Sequence, residues 1–243
     1  MELVERGIAD TRTKARRLVE SGAVSVDGAT EKKPSRKVRV TSHIDVMPQG
    51  HEYVSRGAYK LLGAFERFTQ MGLASPAGRQ CLDIGASTGG FTQVLLEHGA
   101  TEVIALDVGH GQLVEELQAD TRVIEMSGVN IRAVTTADLP FQPTYVVSDV
   151  SFISLTYVLP VIARIAAPHA EIVVLVKPQF EVGKGNLGKD GIVTDHLLRE
   201  ESLKKVTECA RSSGLEVKAS TVSPIEGAHG NVEYLLWLRQ TGE

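Results

Sequence analysis

Cysteine, aromatics and long apolar runs are all scarce in this chain. There are two cysteines, Cys81 and Cys209, far apart in the 243 residues, so neither a disulfide scaffold nor a cysteine-based metal site is spelled out. No His, Cys, Asp and Glu grouping has metal-ligand spacing, so no metal is expected. Aromatics make up 5% of the chain, with a single Trp. No stretch approaches the roughly 18 apolar residues of a membrane-spanning helix, because the longest runs are broken by Asp149 or Lys177. The N-terminus has no apolar signal core. These absences point to a reducing cytoplasm and away from a membrane. The turn after the first buried strand lacks two phosphate-binding signatures as well. No Lys-Ser/Thr follows a glycine run, which excludes a P-loop. The turn is Asp-x-Gly-x-x-x-Gly, not the Gly-x-Gly-x-x-Gly that cradles a dinucleotide pyrophosphate.

The glycine turn that is present reads Cys81-Leu82-Asp83-Ile84-Gly85-Ala86-Ser87-Thr88-Gly89-Gly90-Phe91-Thr92. An apolar strand runs into a sharp turn at Gly85 and then into a helix. Gly89 and Gly90, lacking a Cβ, are expected to let the backbone pass close to a ligand, and helix-start N–H groups face whatever lies in the turn. One strand later Val103-Ile104-Ala105-Leu106-Asp107 ends on a carboxylate, at the spacing of a residue that grips the two hydroxyls of a ribose. A plain strand-to-helix turn of an α/β protein is the competing reading. The acidic Asp83 at the head of the turn suits a ligand with a positive end, such as S-adenosylmethionine with its ammonium and sulfonium.

The net charge of −4 conceals an asymmetry. Residues 1–45 hold 10 basic and 7 acidic side chains, and the remainder holds 16 and 23. A basic head on an acidic body fits a polyanionic partner, with a solvated helix face as the alternative. Within the head, Leu3, Val4, Ile8, Ala15, Leu18 and Val19 recur at helical spacing, Asp10-Thr11 offers a cap between two helices, and Gly22 ends the second. Val24-Ser25-Val26 then enters an Asp27-Gly28 turn, and a second strand is expected over Lys37-Val38-Arg39-Val40.

Residues 46–54, with Pro48 and Gly50, read as a linker, followed by an amphipathic helix through Phe68 on which Lys60, taken alone, reads as exposed. From residue 80 onward, apolar strands alternate with helices as in a doubly wound sheet. Strands fall over 102–108, 122–126, 145–150 and 171–176, with a closing pair over 215–222 and 232–238. Helices fall over 88–98, 112–119 and 197–213, with one over 153–167 interrupted near Pro160. A glycine-rich loop over 183–191 reads as a cover for the ligand-binding edge. Asp149 and Lys177 end consecutive buried strands, where an unpaired charge is costly. With Lys60 arriving from the preceding helix and Glu233 opening the last strand, the four form either an acid–base constellation or a structural ion-pair network.

Several motifs carry a resemblance. Ser-Arg-Gly-Ala-Tyr-Lys-Leu at 55–61, Leu-Asp-Ile-Gly-Ala-Ser-Thr-Gly-Gly-Phe-Thr at 82–92 and Ser-Asp-Val-Ser-Phe-Ile-Ser-Leu at 148–155 are followed by Leu-Val-Lys-Pro-Gln-Phe-Glu at 175–181 and Gly-Asn-Val-Glu-Tyr-Leu-Leu-Trp-Leu at 230–238. In this order they resemble the TlyA family, within the wider FtsJ-like ribose 2′-O-methyltransferases. Ser87-Thr88, where that wider class has Ala-Pro or similar, and Lys177-Pro178-Gln179-Phe180-Glu181 point to the TlyA branch. Residues 1–48 resemble the alpha-L RNA-binding motif of a ribosomal small-subunit protein, although fewer residues precede Glu2–Val4 than in that family's first helix, which implies a shorter, less stable helix.

The resemblance implies an α/β protein: a Rossmann-like S-adenosylmethionine-dependent methyltransferase sheet with helices on both faces over 60–243, a small N-terminal α+β RNA-binding domain over 1–48, and a join over 49–59. It implies S-adenosylmethionine as methyl donor, and ribosomal RNA or a ribosomal subunit as partner, with cytidine 2′-O-methylation as the reaction. Its catalytic Lys-Asp-Lys-Glu tetrad falls on Lys60, Asp149, Lys177 and Glu233, with Lys177, favoured as a neutral amine by desolvation and a neighbouring cation, as base. Cofactor contacts are expected from Asp83, Gly85, Ser87, Gly89, Asp107 and Asn130, with Ser127 and Gly128 as further candidates. RNA contacts are expected from Arg12, Lys14, Arg16, Arg17, Lys32 and Lys33, which would pair with phosphates and position the RNA. Two rival readings remain. One is the haemolysin or cytotoxin that the family's labels mention, which needs an export signal and membrane-active surface that this sequence does not display. The other is a non-catalytic RNA-binding ribosome assembly factor, against which the complete tetrad argues.

Overall fold

The computed structural model describes residues 2–9, 11–20, 24–39, 41–46, 53–188, 191–227 and 230–242. It divides into two compact units, Met1–Glu52 and Tyr53–Glu243.

In the first unit, helices α1 (Glu2–Glu5) and α2 (Arg12–Glu20) share a core with an antiparallel sheet of β1 (Val24–Val26), β2 (Ala29–Glu31) and β3 (Ile44–Val46), in the order β2-β1-β3. Ala15, Leu18 and Val19 face inward from α2 and meet Val24 and Val26. The hairpin turn places Asp27 at φ 51° and Gly28 at φ 82°, the left-handed pair that matches strand twist in a two-residue turn. The Asp27 carboxylate accepts the His43 N–H at 2.8 Å, tying the turn to the approach of β3. Lys37, Val38 and Arg39, the described part of the strand expected over 37–40, form no strand. Val38 alternates with Lys37 and Arg39 as a strand would, but it only packs half-buried against the core, and β3 takes the place beside β1. Val40, Asp10, Gly22 and the linker residues 47–52 lie outside the described residues.

The second unit is a seven-stranded sheet built from β4 (Gln80–Ile84), β5 (Glu102–Asp107), β6 (Val123–Ser127), β7 (Tyr145–Ser148), β8 (Glu171–Val176), β9 (Leu215–Val222) and β10 (Tyr234–Gln240). Its order is β6-β5-β4-β7-β8-β10-β9, with β10 antiparallel to both neighbours and the other pairings parallel. Alternation along the strands supplies two cores. Leu82, Ile84, Ile104, Val146, Ile172, Val174 and Leu236 pack with α6 (Leu155–Ile165) and α8 (His196–Ser212) on one face. Cys81, Val103, Tyr145, Val147, Val173, Leu235 and Trp237 pack with α3 (Ala58–Thr69) and α4 (Gly90–Glu97) on the other. The chain runs outward from β4 to β6 on one side, then restarts at β7 on the opposite side. The switch point between β4 and β7 is where open α/β sheets hold ligands.

Helix α6 passes through Pro160 without interruption. Pro160 cannot donate to the Thr156 carbonyl one turn earlier; the Cys209 thiol, arriving on α8, donates to that carbonyl instead at 3.6 Å. The helix start is held by Glu181, buried at the end of α7 (Pro178–Glu181), whose carboxylate accepts from Leu155 N at 2.7 Å and Ser154 Oγ at 2.5 Å. Burial raises the Glu181 carboxyl above its ordinary range. The 153–167 expectation is therefore corrected to one continuous, shorter helix. Short α5 (Glu115–Gln118) and single turns at Ile131–Ala133, Thr136–Asp138 and Lys184–Asn186 complete the unit. The last of these lies in the glycine-rich loop, of which Lys189 and Asp190 are outside the described residues.

Candidate active site

Three left-handed residues shape the turn after β4: Gly85 at φ 85°, Ser87 at φ 49° and Gly89 at φ 101°. Gly85 is doubly required, because a Cβ there would lie 2.7 Å from the Asp149 carbonyl oxygen. Gly89 and Gly90 have a packing role as well. A Cβ on Gly89 would meet Leu117 and Leu113, and one on Gly90 would meet Ser55 Oγ. Both glycines thus make room for protein side chains packed against the helix start, and Gly90 also lines the first of the two cavities described below. Asp107, at the end of β5, accepts from Ser87 N and from Gly109 N, each at 2.8 Å, and so pins the turn from the neighbouring strand.

Four charged side chains gather at the carboxyl edge beside this turn. Lys60 does not face solvent as an isolated helix lysine would; it is 8% exposed, on the first turn of α3. Its Nζ lies 2.8 Å from Glu233 Oε2 and 3.4 Å from Asp149 Oδ2. The other Asp149 oxygen lies 2.6 Å from Lys177 Nζ, and Lys177 also donates to Ser151 Oγ at 2.9 Å. The order along the edge is Glu233, Lys60, Asp149, Lys177: acid and base alternate, and one carboxylate bridges two amines. Glu233 is 2% exposed. It is held further by Gln179 Nε2 at 3.4 Å, and Gly227 lies so close that a Cβ there would overlap the carboxylate. Burying two cations and two anions in contact keeps each one compensated.

Two cavities open on this edge. The first, about 560 Å³, is lined by Ser55, Arg56, Lys60, the glycine turn, Asp149, Lys177 and Glu226. The second, about 590 Å³, is lined by Asp107, Asn130, Arg132, Phe152 and apolar side chains such as Leu106, Val129, Ile131 and Ile153. Gly85, Ser87, Asp149 and Ser151 belong to both walls, so Asp149 stands where the cavities meet, while Lys60 and Lys177 line the first and Glu233 is buried behind it. A nucleoside cofactor with a positive end fits this shape. Asp107 and Asn130 lie beside an apolar slot for a base, Asp149 offers charge to a cation at the junction, and the uncapped start of α4 lies on the first wall.

Of the remaining cofactor candidates, Asp83 and Gly89 stand behind the wall. Asp83 is fully buried and accepts from Thr92 Oγ1 at 2.7 Å. Burial, with Asp149 and Asp107 adding to it against the Thr92 hydrogen bonds, pushes its carboxyl up to about 7. Its second oxygen has no hydrogen-bond partner among the described residues. The Gly89 N–H is taken by Ala86 O at 2.8 Å. Asn130 Oδ1 accepts from Arg132 N at 3.1 Å, which fixes the turn after β6. Ser127 lines only a small side recess, and Gly128 lies against the His110 ring.

Sequence reasoning missed Ser151, Gln179, Gly227 and Phe152. Phe152 is 91% exposed at φ 65°, a strained conformation for a bulky side chain, and its ring lies 5.2 Å from that of Phe180. Lys177 Nζ is 6.0 Å from the Phe180 ring centre. The Ser-Phe pair following Ser-Asp-Val was the available signal.

In the first unit, a cavity of about 330 Å³ has an apolar floor of Ala15, Val19, Val24 and Val26 and a rim that includes Arg12, Arg16, Lys33 and Arg36. Arg12, Lys32 and Lys33 are exposed, while Arg16 pairs with Glu20 and Arg36 with Glu31. The side chains of Lys14 and Arg17 lie outside the described residues.

Residues 53–240 match the FtsJ-like methyltransferase family, and residues 2–44 match the S4 domain family. The chain is 46% identical over 239 residues to the 16S/23S rRNA (cytidine-2′-O)-methyltransferase TlyA of Mycobacterium tuberculosis, covering 98% of this chain and 88% of that one. The solved structure of a putative hemolysin from Streptococcus thermophilus superposes with a TM-score of 0.77 at 40% identity, over 98% of this chain and 86% of the other. The structure of a putative S-adenosylmethionine-dependent methyltransferase from Listeria monocytogenes, 13% identical, shares the fold at a TM-score of 0.54 over 74% of this chain and 99% of that one.

Proposed function

The chain belongs to the TlyA branch of the FtsJ-like methyltransferases, and from that premise we propose that it methylates the ribose 2′-hydroxyl of a cytidine in ribosomal RNA, with S-adenosylmethionine as donor. The observation that carries the reading is the alternating Glu233–Lys60–Asp149–Lys177 chain, whose Asp149 lies at the junction of two cavities. S-Adenosylmethionine, when bound, supplies a methyl group on a sulfonium that departs as a neutral thioether.

A sugar hydroxyl is a poor nucleophile until its proton is leaving. Lys177, on the wall of the first cavity, would accept that proton as the hydroxyl is methylated. Asp149 holds Lys177 through one oxygen and Lys60 through the other, so a single carboxylate sets the positions of both amines. Glu233 offsets the Lys60 charge, and Gln179 steadies Glu233. Ser151 fixes the Lys177 amine from a second direction. The chain's contribution is chiefly alignment and exclusion of water, which can supply several kcal/mol of a barrier. Asp107 and Asn130 would meet the cofactor's ribose and base, and Ser87 with the start of α4 would receive its methionyl end. Phe152, exposed on the rim, offers a stacking surface to a base turned out of the RNA. Arg12, Lys32, Lys33 and the other basic side chains of the first unit would hold RNA phosphates.

Among the described residues no helix is long and apolar enough to cross a membrane, and nothing specific in the structure favours the haemolysin reading. The test is to incubate the protein with ribosomal subunits and tritiated S-adenosylmethionine, digest the RNA to nucleosides and identify the labelled product. The expected product is 2′-O-methylcytidine. Label on a base, or cofactor binding with no transfer, would overturn the assignment.

A further inference from the structure

Of the 16 basic side chains in the acidic second unit, most line neither cavity. Arg132 does. It is exposed on the wall of the second cavity and makes no ion pair with a carboxylate among the described residues. Its backbone is fixed by the Asn130 side chain, and the preceding Ile131 is anchored in the core. Its guanidinium carbon lies 5.2 Å from the centre of the Tyr157 ring. Tyr157 is itself 59% exposed, on the first turn of α6, on the same segment as Phe152.

A guanidinium stacked on an aromatic ring keeps its N–H edge free, and that edge matches a phosphodiester. An exposed stack of this kind adds little to stability, roughly 0.5–1 kcal/mol. Leaving a positive charge unpaired at the mouth of the site therefore has small structural benefit, whereas an incoming polyanion would meet it directly.

Resting on the RNA reading above, we infer that Arg132 and Tyr157 form a second nucleotide subsite, which holds the nucleotide next to the methylated one. The Arg132 edge takes the phosphate. The Tyr157 ring sets the guanidinium plane and gives the neighbouring sugar or base a surface to rest on. These are positioning residues, and they take no part in proton transfer. The subsite would orient the RNA strand so that the target hydroxyl reaches Lys177.

The experiment compares Arg132→Ala, Arg132→Lys, Tyr157→Ala and Tyr157→Phe with the wild type. Methyl transfer kinetics are read with ribosomal subunits, RNA binding is read against salt without cofactor, and cofactor affinity is read by calorimetry. For R132A the expected result is a KM for RNA raised about tenfold and a salt-dependence slope of RNA binding reduced by about one, with cofactor affinity within twofold of wild type. Arg132→Lys should restore the slope but only part of the KM. Tyr157→Phe should behave as wild type, and Y157A should follow R132A. An R132A enzyme whose RNA kinetics and salt slope match wild type would overturn the inference. So would a loss of cofactor affinity equal to the loss of RNA affinity, which would assign Arg132 to the cofactor. A wild-type protein that transfers no methyl to ribosomal RNA would fail the proposed function itself, and R132A binding to RNA would then still judge the subsite.

Discussion

Gly227→Ala should disable the enzyme by pushing on the Glu233 carboxylate, against which the glycine already lies. The added Cβ would lie 2.1 Å from Glu233 Oε1, closer than real Cβ contacts come, so one partner must move by at least about 0.9 Å. A flexible surface carboxylate would swing away at little cost. Glu233 is 2% exposed and gripped by Lys60 at 2.8 Å and Gln179 at 3.4 Å, so moving it strains both contacts. Lys60 then loses its shorter carboxylate contact and keeps only Asp149 at 3.4 Å. A displacement near 1 Å in a positioned site can lower kcat about 100-fold, and overpacking of this kind costs about 1–3 kcal/mol of stability. Single-turnover methyl transfer to ribosomal subunits measures the first, and urea unfolding measures the second. The reasoning has a stricter test in a double-mutant cycle. In a Glu233→Ala background the carboxylate is gone, and the same added methyl should change kcat by less than about twofold. A G227A enzyme with wild-type turnover, or a double mutant that pays both penalties in full, would refute the argument.

Asp83 gives a pH signature. Burial lifts its folded carboxyl to about 7, whereas an unfolded one sits near 3.9, so between these values the folded chain holds a proton that the unfolded chain has released. Stability should therefore fall as pH rises from about 4 to about 7 and level off above, with a contribution on the order of 4 kcal/mol; Asp83→Asn should remove that slope, and equal pH profiles for the two proteins would dismiss it. Phe152→Gly should raise stability by about 1 kcal/mol, because it relieves a left-handed aromatic residue. The same change should weaken RNA substrate use about 5- to 100-fold through lost stacking, with thermal unfolding and KM for ribosomal subunits moving in opposite senses. Cys209→Ala removes the donor to the Thr156 carbonyl beside Pro160 and should cost about 1 kcal/mol in urea unfolding without changing turnover.

Much of this fold was legible because its strands are short apolar runs ending in a charge. Asp107, Asp149 and Lys177 each sit one residue beyond, or at the end of, a run of buried Val, Ile and Leu, and such a charge has nowhere to go but the ligand-binding edge. The closing strand was less clear at its start, since Val232 and Glu233 precede Tyr234, where β10 pairing begins. What stayed hidden was non-local. The packing role of Gly89 and Gly90 could not be read, because a Cβ on them would meet Leu113, Leu117 and Ser55, which no local pattern brings there. Lys60 looked exposed because its partners, Asp149 and Glu233, are 89 and 173 residues away. Lys37-Val38-Arg39-Val40 alternates like a strand, yet Ile44–Val46 takes the place beside β1. Pro160 is a sound helix-breaking signal, and it is outweighed here by a buried helix face and a thiol that replaces the lost donor.

The account turns on Lys177 as the group that takes the ribose proton. Lys177→Ala should be loaded with S-adenosylmethionine, confirmed by calorimetry to bind it within about threefold of wild type, and mixed with ribosomal subunits under single-turnover conditions. The expected result is retained binding of cofactor and RNA with methyl transfer lowered at least about 1000-fold. Transfer at the wild-type rate by the lysine-free protein would contradict the account at its centre.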